Sequence, residues 1–402
     1  MALRAAPRAA AATMELTRLA LTDFRSYTSA ELTLDPGLTV VAGPNGTGKT
    51  NLLEAIHATI VGRSHRASLD VELVRHGAGF ARVRLDLAGG TMAGGATIEL
   101  VLPGAEPTPG IRKRLTVNGV ARRTSTLSDV ARVVLFRPEE MLLLVGSPGE
   151  RRRFLDGIVS QRDRRAARDL VDVARVVSQR NALLRAIRAE EASIATLAFW
   201  DEQLAQLGAR VMRARLEVLA ELVERIGPLH QAVAANGEGG ASVGLTYLDG
   251  LKEAWPERAD PRHRMPGDGE LADAYRRRIG DVRQKEAWNG VSLVGPQRDD
   301  LRAELGERDV ASHASRGQQR TIILAMKLAE TDLLGADGPR PIVLLDDVFS
   351  ELDPERATRL SGLLAGRGQV IVTTADPGTL EASRRREAAV WRIRADRLVR
   401  EP

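Results

Sequence analysis

The chain has 402 residues, with 58 Lys or Arg, 53 Asp or Glu and no cysteine. This length predicts two or more lobes with ample core, while the lack of cysteine excludes disulfides and a cysteine-based zinc hook. No apolar run approaches the roughly 20 residues of a membrane span, so we expect a soluble cytoplasmic protein, and the net charge of +5 suits a phosphate-bearing partner.

The first part of the chain alternates between short strands and loops. Residues 1–13 are rich in Ala and Arg and lack acidic residues, which is typical of a disordered extension, an over-called start codon or a targeting peptide. Residues 82–87 and 97–102 have the period-two pattern of strands. The pair Asn118-Gly119 after a third strand at 114–117 predicts a hairpin with a type I′ turn. We therefore expect an antiparallel sheet in this part of the chain.

A complete phosphate-binding loop follows a short β-branched strand at 38–42. It fits G-x-x-x-x-G-K-[ST] at every fixed position, and a helix begins directly after it. Backbone N–H groups and the helix N-terminus would hold phosphates, Lys49 would reach the β- and γ-phosphates, and Thr50 would hold Mg²⁺. The predicted nucleotide-binding residues are Gly43, Pro44, Asn45, Gly46, Thr47, Gly48, Lys49, Thr50 and Asn51. The alternative, a chance glycine loop before a helix, is disfavoured by this flanking pattern.

The middle of the chain is helical. Ser147, Pro148 and Glu150 have the spacing of a capping box with proline at the first helical position. Apolar residues then recur at helical spacing over 154–187 and again over 197–229. Two long helices with narrow apolar stripes predict an antiparallel hairpin, a short form of a coiled-coil arm. A further helix is expected over 271–287.

Two motifs near the C-terminal end complete an ATPase pattern. Residues 341–347 form an apolar strand that ends in Asp346 and Asp347, which is the Walker B pattern. We expect Asp346 to hold Mg²⁺ through water and Asp347 to orient or deprotonate the attacking water. Asp353 follows at the spacing of a D-loop. Upstream, Ser315, Gly317 and Gln318 resemble the signature motif of ABC ATPases. They would present a hydroxyl, a backbone N–H and a helix dipole to a γ-phosphate.

The order and spacing of the phosphate-binding loop and the two later motifs indicate an ABC-type ATPase head. The predicted fold is α/β, a P-loop NTPase with a mixed sheet and an antiparallel β subdomain, interrupted by a helical arm. The head would comprise residues 14–146 and 291–402, and the arm residues 147–290. Lys49 and Asp346 are 297 residues apart, which is too far for a transporter domain and too close for the arms of an SMC protein.

The chain resembles the RecF family of DNA repair ATPases over almost its whole length. The resemblance is carried by residues 19–27, 62–66, 136–140, 149–156 and 295–301. In the last of these the family usually has histidine where this chain has Gln297, so the resemblance does not extend to an imidazole there. Aspartate at 347 in place of glutamate, and Thr373-Thr374 in place of the transporters' switch histidine, favour a slow switch over a motor.

Membership of that family would imply an ATP-dependent DNA-binding protein of recombinational repair and replication-fork recovery. ATP and Mg²⁺ would close two chains head to tail on duplex DNA, gapped DNA or a single-strand/duplex junction. The resemblance also implies RecO and RecR as partners, RecA as an indirect one, and a cytoplasmic, nucleoid-associated location. A weak DNA-dependent ATPase activity would reset the switch. An SMC-like tethering ATPase with short arms is the alternative, and an OLD-type nuclease a third.

Candidate DNA contacts follow the P-loop helix. Arg63, His65 and Arg66 belong to a short segment shared with the RecF family, and they are the preferred candidates. Arginine clusters at 151–153, at 162–165 and at 276–278 are the other basic features. Helix faces of this kind are explained by solvation or intramolecular ion pairs more often than by a nucleic-acid groove. Few aromatic residues lie among them, which argues against stacking on single strands.

Overall fold

The structure is a computed structural model of the chain. It describes residues 14–89, 94–106, 108–234, 240–251, 264–379, 388–394 and 397–401. The predicted N-terminal extension, residues 1–13, lies outside the described residues. Within this part the chain divides into two compact units. The first comprises residues up to Glu140, a short segment at Ala232–Asn236 and the chain from Lys327 onward; the second comprises Met141–Gln231 and Gly237–Met326.

The strands of the described residues are β1 Met14–Phe24, β2 Tyr27–Thr33, β3 Leu38–Ala42, β4 Phe80–Gly89, β5 Ala96–Pro103, β6 Arg114–Val117, β7 Val120–Ala121, β8 Val133–Phe136, β9 Val243–Leu248, β10 Asp300–Leu305, β11 Arg308–Asp309, β12 Ile342–Asp346, β13 Val370–Thr374, β14 Ala389–Arg394 and β15 Arg397–Arg400. The α-helices are α1 Lys49–Val61, α2 Leu142–Val145, α3 Pro148–Arg162, α4 Arg164–Arg188, α5 Ala198–Val233, α6 Asp268–Asn289, α7 Val310–His313, α8 Arg316–Ala336 and α9 Pro354–Leu364. None of the helices in these ranges is long and apolar enough to span a membrane.

A largely parallel sheet forms the centre of the first unit. Its strand order is β15-β14-β3-β13-β12-β8, and only β15 is antiparallel to its neighbour. Strands β8, β12 and β13 are buried at every position, as expected for parallel strands covered on both faces. The register pairs Asp346 with Thr373 and Thr374 with Ala42. The loop after β3 and the carboxylates at the end of β12 therefore meet at one edge of the sheet.

An antiparallel sheet in the order β2-β1-β4-β5-β6-β7 forms the second layer of this unit. Its strands confirm the predictions for 82–87, 97–102 and 114–117. The turn after β6 has positive φ at both central residues, 50° at Asn118 and 78° at Gly119, which is the predicted type I′ turn. Helix α1 packs on both sheets, and its apolar residues belong to the same buried core. The ABC-type α/β fold is thereby confirmed.

The second unit contains an antiparallel helical arm in which α3 and α4 run against α5. Three ion pairs fix the direction: Arg162 to Glu221 at 2.7 Å, Asp169 to Arg210 at 2.8 Å, and Arg180 to Asp201 at 2.8 Å. From the first pair to the last, the residue on α3 or α4 moves forward from 162 to 180, while its partner on α5 moves back from 221 to 201. The antiparallel hairpin is therefore confirmed, and α6 covers the predicted helix at 271–287.

Two details of the arm differ from the prediction. The first helix is not continuous, because Asp163 leaves the helical region and its side chain caps α4 by accepting from the N–H groups of Arg165 and Ala166. The capping box at the start of α3 is absent, since the Ser147 side chain makes no cap hydrogen bond and the Glu150 carboxylate instead pairs with Arg153. The sequence also gave no sign of β9, which pairs antiparallel with β10.

Candidate nucleotide-binding site

The phosphate-binding loop takes its shape from glycines in left-handed conformation. Gly46 has φ 82° and Gly48 has φ 97°, a region that L-residues with a side chain rarely adopt. A Cβ at Gly48 would also lie 2.9 Å from the Ser26 hydroxyl and 3.0 Å from that of Tyr27. Tyr27 donates a hydrogen bond of 3.1 Å to the Gly48 carbonyl. The turn between β1 and β2 therefore supports the loop from behind, a contact that the sequence did not reveal.

The Lys49 side chain folds back onto the phosphate-binding loop. Its Nζ donates to the carbonyls of Gly43 at 2.7 Å and Pro44 at 2.9 Å, and the side chain is buried. Burial lowers the pKa of Lys49, while the charges of Asp347 and Asp346 oppose that shift. A bound phosphate would offer the ammonium stronger, charge-assisted acceptors than these two carbonyls.

A buried carboxylate and two hydroxyls converge beside the loop. Oδ1 of Asp346 accepts from the Thr50 hydroxyl at 3.0 Å and from the Thr373 hydroxyl at 2.7 Å. Carboxylate and hydroxyl oxygens are the hard donors that Mg²⁺ prefers, so these residues fit that ion. Thr373 was predicted only as the occupant of the switch position, and its link to Asp346 depends on the register of β12 and β13.

Asp347 stands one residue beyond the strand in an unusual backbone conformation. Its φ is 52° and its ψ 24°, a left-handed geometry that non-glycine residues adopt mainly at sites where the surroundings enforce it. The Thr373 carbonyl accepts from its N–H at 3.1 Å, and the Ser350 hydroxyl donates to Oδ1 of its carboxylate at 2.5 Å. The carboxylate is thus held at the sheet edge next to Asp346, where the sequence pattern puts a base.

The predicted D-loop residue Asp353 has a structural contact of its own. Its side chain caps α9 by accepting from the N–H of Arg356 at 2.9 Å, and it also pairs with that guanidinium. The hydrogen bond from the Arg356 N–H lowers the pKa of Asp353. An ionised carboxylate is therefore present at this helix N-terminus at neutral pH.

The predicted signature residues form the start of α8, in the second unit. Ser315 and Gln318 make a reciprocal capping box: the Gln318 side chain accepts from the Ser315 N–H at 2.9 Å, and the Ser315 hydroxyl accepts from the Gln318 N–H at 3.2 Å. Among the described residues, the N–H groups of Arg316 and Gly317 have no acceptor. Ser315 and Arg316 are exposed. Helix α8 has 21 residues. Its exposed N-terminus, with the hydroxyl hydrogen of Ser315 available to donate, is suited to binding a phosphate.

The segment after α1 is anchored on one buried carboxylate. Glu54 accepts two hydrogen bonds from Arg25, at 2.9 and 2.8 Å, and one from Ser64 at 2.6 Å. Arg66 lies 3.7 Å from the same carboxylate and donates to Asn51 at 3.3 Å. Asn51 directly follows the phosphate-binding loop and also donates to Ser26 at 3.0 Å. The network therefore links the segment that was predicted to contact DNA with this loop.

The three predicted DNA contacts differ in their surroundings. Arg63 and Arg66 are exposed, whereas both ring nitrogens of His65 are buried and have no hydrogen-bond partner within the described part of the chain. Burial, reinforced by the charge of Arg137, lowers the pKa of His65 to about 3. The ring is therefore neutral at physiological pH, and any cationic contribution of this segment comes from the arginines.

The arginine clusters of the helical unit are largely satisfied within the chain. Arg151 makes a bidentate pair with Asp300 at 2.6 and 2.9 Å, and Arg276 pairs with Glu202 at 2.8 Å. Arg151 also donates to the carbonyl of Gly146, and Arg276 also pairs with Asp273. Other contacts of these clusters are Arg152 to the carbonyl of Asp299, Arg153 to Glu150 and Arg162 to Glu221. These contacts support the ion-pair interpretation of those clusters. Gln297 donates to the carbonyl of Val294 at 3.0 Å, while its own carbonyl oxygen is buried without a partner among the described residues.

A cavity of about 700 Å³ lies beside the start of α1. Ser26 and Asn51 are on its wall together with Arg25, Arg75 and His76. The sequence offered no signal for this cavity, since its lining residues come from four separate segments of the first unit.

The phosphate-binding loop and the Walker B carboxylates lie at one edge of a largely parallel sheet that is backed by an antiparallel one. This arrangement defines an ABC-type ATPase head. Residues 15–395 match the model of the RecF/RecN/SMC N terminal domain. The chain is similar to the DNA replication and repair protein RecF of Streptomyces avermitilis, with 37% identity over 92% of this chain and 97% of that protein. With RecF of Kineococcus radiotolerans it shares 40% identity over 93% and 96%. The chain belongs to the RecF family.

Solved structures agree with this assignment. The recombination mediator protein RecF-ATPrS of the RecFOR pathway superposes with a TM-score of 0.85 and 25% identity, covering 98% of this chain and all of that one. An Smc head domain from Pyrococcus furiosus superposes with a TM-score of 0.52 and 17% identity, over 97% and 96%. The SMC head shares the fold, but the RecF structure fits much better.

Proposed function

We propose that this protein is an ATP-dependent DNA-binding switch of recombinational repair and replication-fork recovery. ATP closes two copies head to tail, the closed dimer holds duplex DNA or a gapped junction, and slow hydrolysis releases it. RecO and RecR are its proposed partners, and the loading of RecA is the step that it serves. It works in the cytoplasm at the nucleoid.

The convergence of Thr50 and Thr373 on Asp346 is the observation that carries the nucleotide site. The loop N–H groups hold the phosphates, and Lys49 leaves its two carbonyls for phosphate oxygens. Thr50 and Asp346 would hold Mg²⁺, which when bound neutralises charge that develops on the phosphates. The cavity beside Ser26 and Asn51 offers space for the rest of the nucleotide.

Asp347 is the proposed base for hydrolysis. Its carboxylate accepts a proton from a water molecule or orients it, and the hydrogen bond from Ser350 keeps the carboxylate in place. Aspartate is one methylene shorter than the glutamate of most ABC ATPases, so we propose slow turnover. The enzyme activity would be that of a weak, DNA-dependent ATPase whose purpose is to reset the switch.

Ser315 and Gly317 would complete the nucleotide site of a second copy. The Ser315 oxygen is already occupied as an acceptor from Gln318, so the hydroxyl hydrogen is free to donate. Together with the open N–H groups of α8, it would contact the partner's γ-phosphate. Each site is incomplete without the other copy, which makes dimerisation dependent on ATP.

An SMC-like tethering ATPase was the alternative from a different class. The greater similarity to RecF in sequence and in structure supports the repair switch instead. The two longest helices of the arm, α4 and α5, have 25 and 36 residues. A rise of 1.5 Å per residue gives them lengths of about 38 and about 54 Å.

Mixing two defective variants tests the head-to-tail arrangement. Ser315→Arg blocks the signature face and Lys49→Met disables the phosphate loop, so neither should dimerise alone with ATP in light scattering. A mixed dimer has one intact composite site, made of Lys49 from one copy and Ser315 from the other. We expect the mixture to recover ATP-dependent dimers, whereas dimers of Ser315→Arg alone would show that α8 does not contact the partner's nucleotide.

A further inference from the structure

A second basic segment lies against the end of the P-loop helix. Helix α1 ends with Gly62 in left-handed conformation, φ 81°. A Cβ at Gly62 would overlap the side chain of Thr124 and lie 3.8 Å from its Cα. Arg122 and Arg123 directly precede Thr124, as Arg63 directly follows Gly62. With 3.8 Å between consecutive Cα atoms, the Cα atoms of Arg123 and Arg63 lie within about 13 Å of each other.

These three arginines are exposed and, within the described part of the chain, unpaired. Arg63, Arg122 and Arg123 are all in the exposed class, and no carboxylate or carbonyl of the described residues contacts their guanidinium groups. Arginines on the antiparallel sheet of the same unit behave differently, because each finds an acidic partner. Those pairs are Arg18 with Glu31 and Asp86, Arg84 with Asp86, and Arg82 and Arg114 with Glu99.

A purely structural role explains only one of the three. Arg63 lies just past the C-terminus of α1, where a cation interacts favourably with the helix dipole. Arg122 and Arg123 lie before a short 3-10 helix, at whose N-terminus the dipole disfavours cations. Placing unpaired like charges together is unfavourable unless an anion neutralises them. Arg66, in contrast, already contacts Asn51 and Glu54.

The backbone that carries the arginines is held firmly to the nucleotide site. Ser64 bonds to Glu54 within α1 and caps the N–H groups of the next turn. The carbonyl of Arg123 accepts from both the N–H and the hydroxyl of Thr126. Helix α1 has 13 residues, so about 20 Å separate the phosphate loop at its start from the arginines at its end.

We propose that Arg63, Arg122 and Arg123 form a patch that binds the phosphate backbone of duplex DNA. This inference rests on the proposed function and assigns a contact surface to it. Duplex DNA carries one charge per about 1.7 Å of axis. With one further Cα step to Arg122 the patch spans at most about 17 Å, which is wide enough to face several phosphates. Contacts to phosphates carry no sequence information, so binding through this patch should be insensitive to base sequence.

The experiment compares wild type with Arg122→Ala/Arg123→Ala by anisotropy of a labelled duplex, with a non-hydrolysable ATP analogue. Each lost phosphate contact should flatten the plot of log K against log [salt] by about 0.9. Relative to 1 M salt, such a contact contributes about eightfold at about 0.1 M, so losing two weakens binding about 60-fold. The loss should be the same for unrelated duplex sequences.

Matched variants separate charge from structure. Arg82→Ala/Arg84→Ala removes two paired arginines of the same unit and should leave affinity and slope unchanged. Arg122→Lys/Arg123→Lys should retain most of the binding, since a phosphate contact requires charge. Binding of the ATP analogue should be equal in all variants, which shows that each is folded.

The outcomes distinguish two failures. If wild type and Arg122→Ala/Arg123→Ala bind duplex DNA with the same affinity and the same slope, the patch is overturned and the proposed function stands. Equal losses in both alanine pairs would also overturn it, because the effect would then not belong to the unpaired arginines. If wild type does not bind DNA with the ATP analogue, the proposed function fails together with the patch.

Discussion

Replacing Asp347 by asparagine tests the assignment of the base in hydrolysis. The residue has φ 52°, and asparagine is one of the few residues that adopt this left-handed region readily. The amide oxygen can still accept from Ser350, whose hydroxyl lies 2.5 Å from the carboxylate. Asp347→Asn therefore removes the negative charge and basicity while it keeps the backbone and the local hydrogen bond.

The expected effect is large on turnover and small elsewhere. A positioned general base contributes about 10²- to 10⁴-fold in rate, equivalent to about 3–5 kcal/mol of activation free energy. Lys49, Thr50 and Asp346 are untouched, so ATP should bind and the ATP-dependent dimer should persist. In the proposed cycle hydrolysis releases the dimer, so the lifetime of the dimer should lengthen in proportion to the loss of rate.

Phosphate release and light scattering on the same samples provide the assay. Asp347→Ala is the matched control, because it removes the base but adds the left-handed strain of about 1–2 kcal/mol that alanine suffers. Both variants should lose turnover, and only Asp347→Ala should also lose stability. Turnover at the wild-type rate in Asp347→Asn would refute the assignment of Asp347 as the base.

Three further outcomes are expected. Gly48→Ala should abolish binding of a fluorescent ATP analogue, since its Cβ would meet the Tyr27 hydroxyl at 3.0 Å in a left-handed backbone; unchanged affinity would contradict the loop geometry. Arg180→Met should lower the free energy of unfolding by about 3–5 kcal/mol, because Glu286 then stays buried without a cation and Asp201 keeps only its pair with Arg283. A change under about 1 kcal/mol in denaturant unfolding would contradict this. Burial raises the pKa of Asp299 to about 7, above its unfolded value of about 3.9. The folded state therefore binds more protons than the unfolded state at intermediate pH. The stability of the folded state falls as pH rises from about 4 to about 7. Asp299→Asn should therefore show a smaller drop in Tm than wild type between about pH 5 and about pH 8, and an equal drop would contradict the shift.

Local patterns account for the features that were predictable. The loop from Gly43 to Thr50 needs left-handed glycines and a following helix, and both are written in adjacent residues. Strands β12 and β13 begin with apolar runs, at 342–345 and 370–372, so their burial and parallel pairing follow from composition. The turn at Asn118-Gly119 was equally explicit, because few other dipeptides adopt a type I′ turn.

Features that depend on distant segments were not predictable. The support of Gly48 by Tyr27 and the bond from Thr373 to Asp346 arise from the tertiary arrangement of separate strands. The partners of the arm arginines lie up to 149 residues away, as in Arg151 with Asp300. The capping box predicted at the start of α3 was also wrong, although it depends on neighbouring residues. Glu150 has the correct spacing, but Arg153 on the next turn binds its carboxylate instead.

The most direct test of the central claim is DNA binding with and without nucleotide. Wild type and Lys49→Met are titrated onto duplex, gapped and single-stranded DNA, each with a non-hydrolysable ATP analogue and without it. We predict that wild type binds duplex or gapped DNA as a dimer only with the analogue, leaves the DNA uncut, and loses this binding in Lys49→Met. Equal binding without nucleotide, equal binding by Lys49→Met, or cleavage of the DNA would contradict an ATP-dependent clamp.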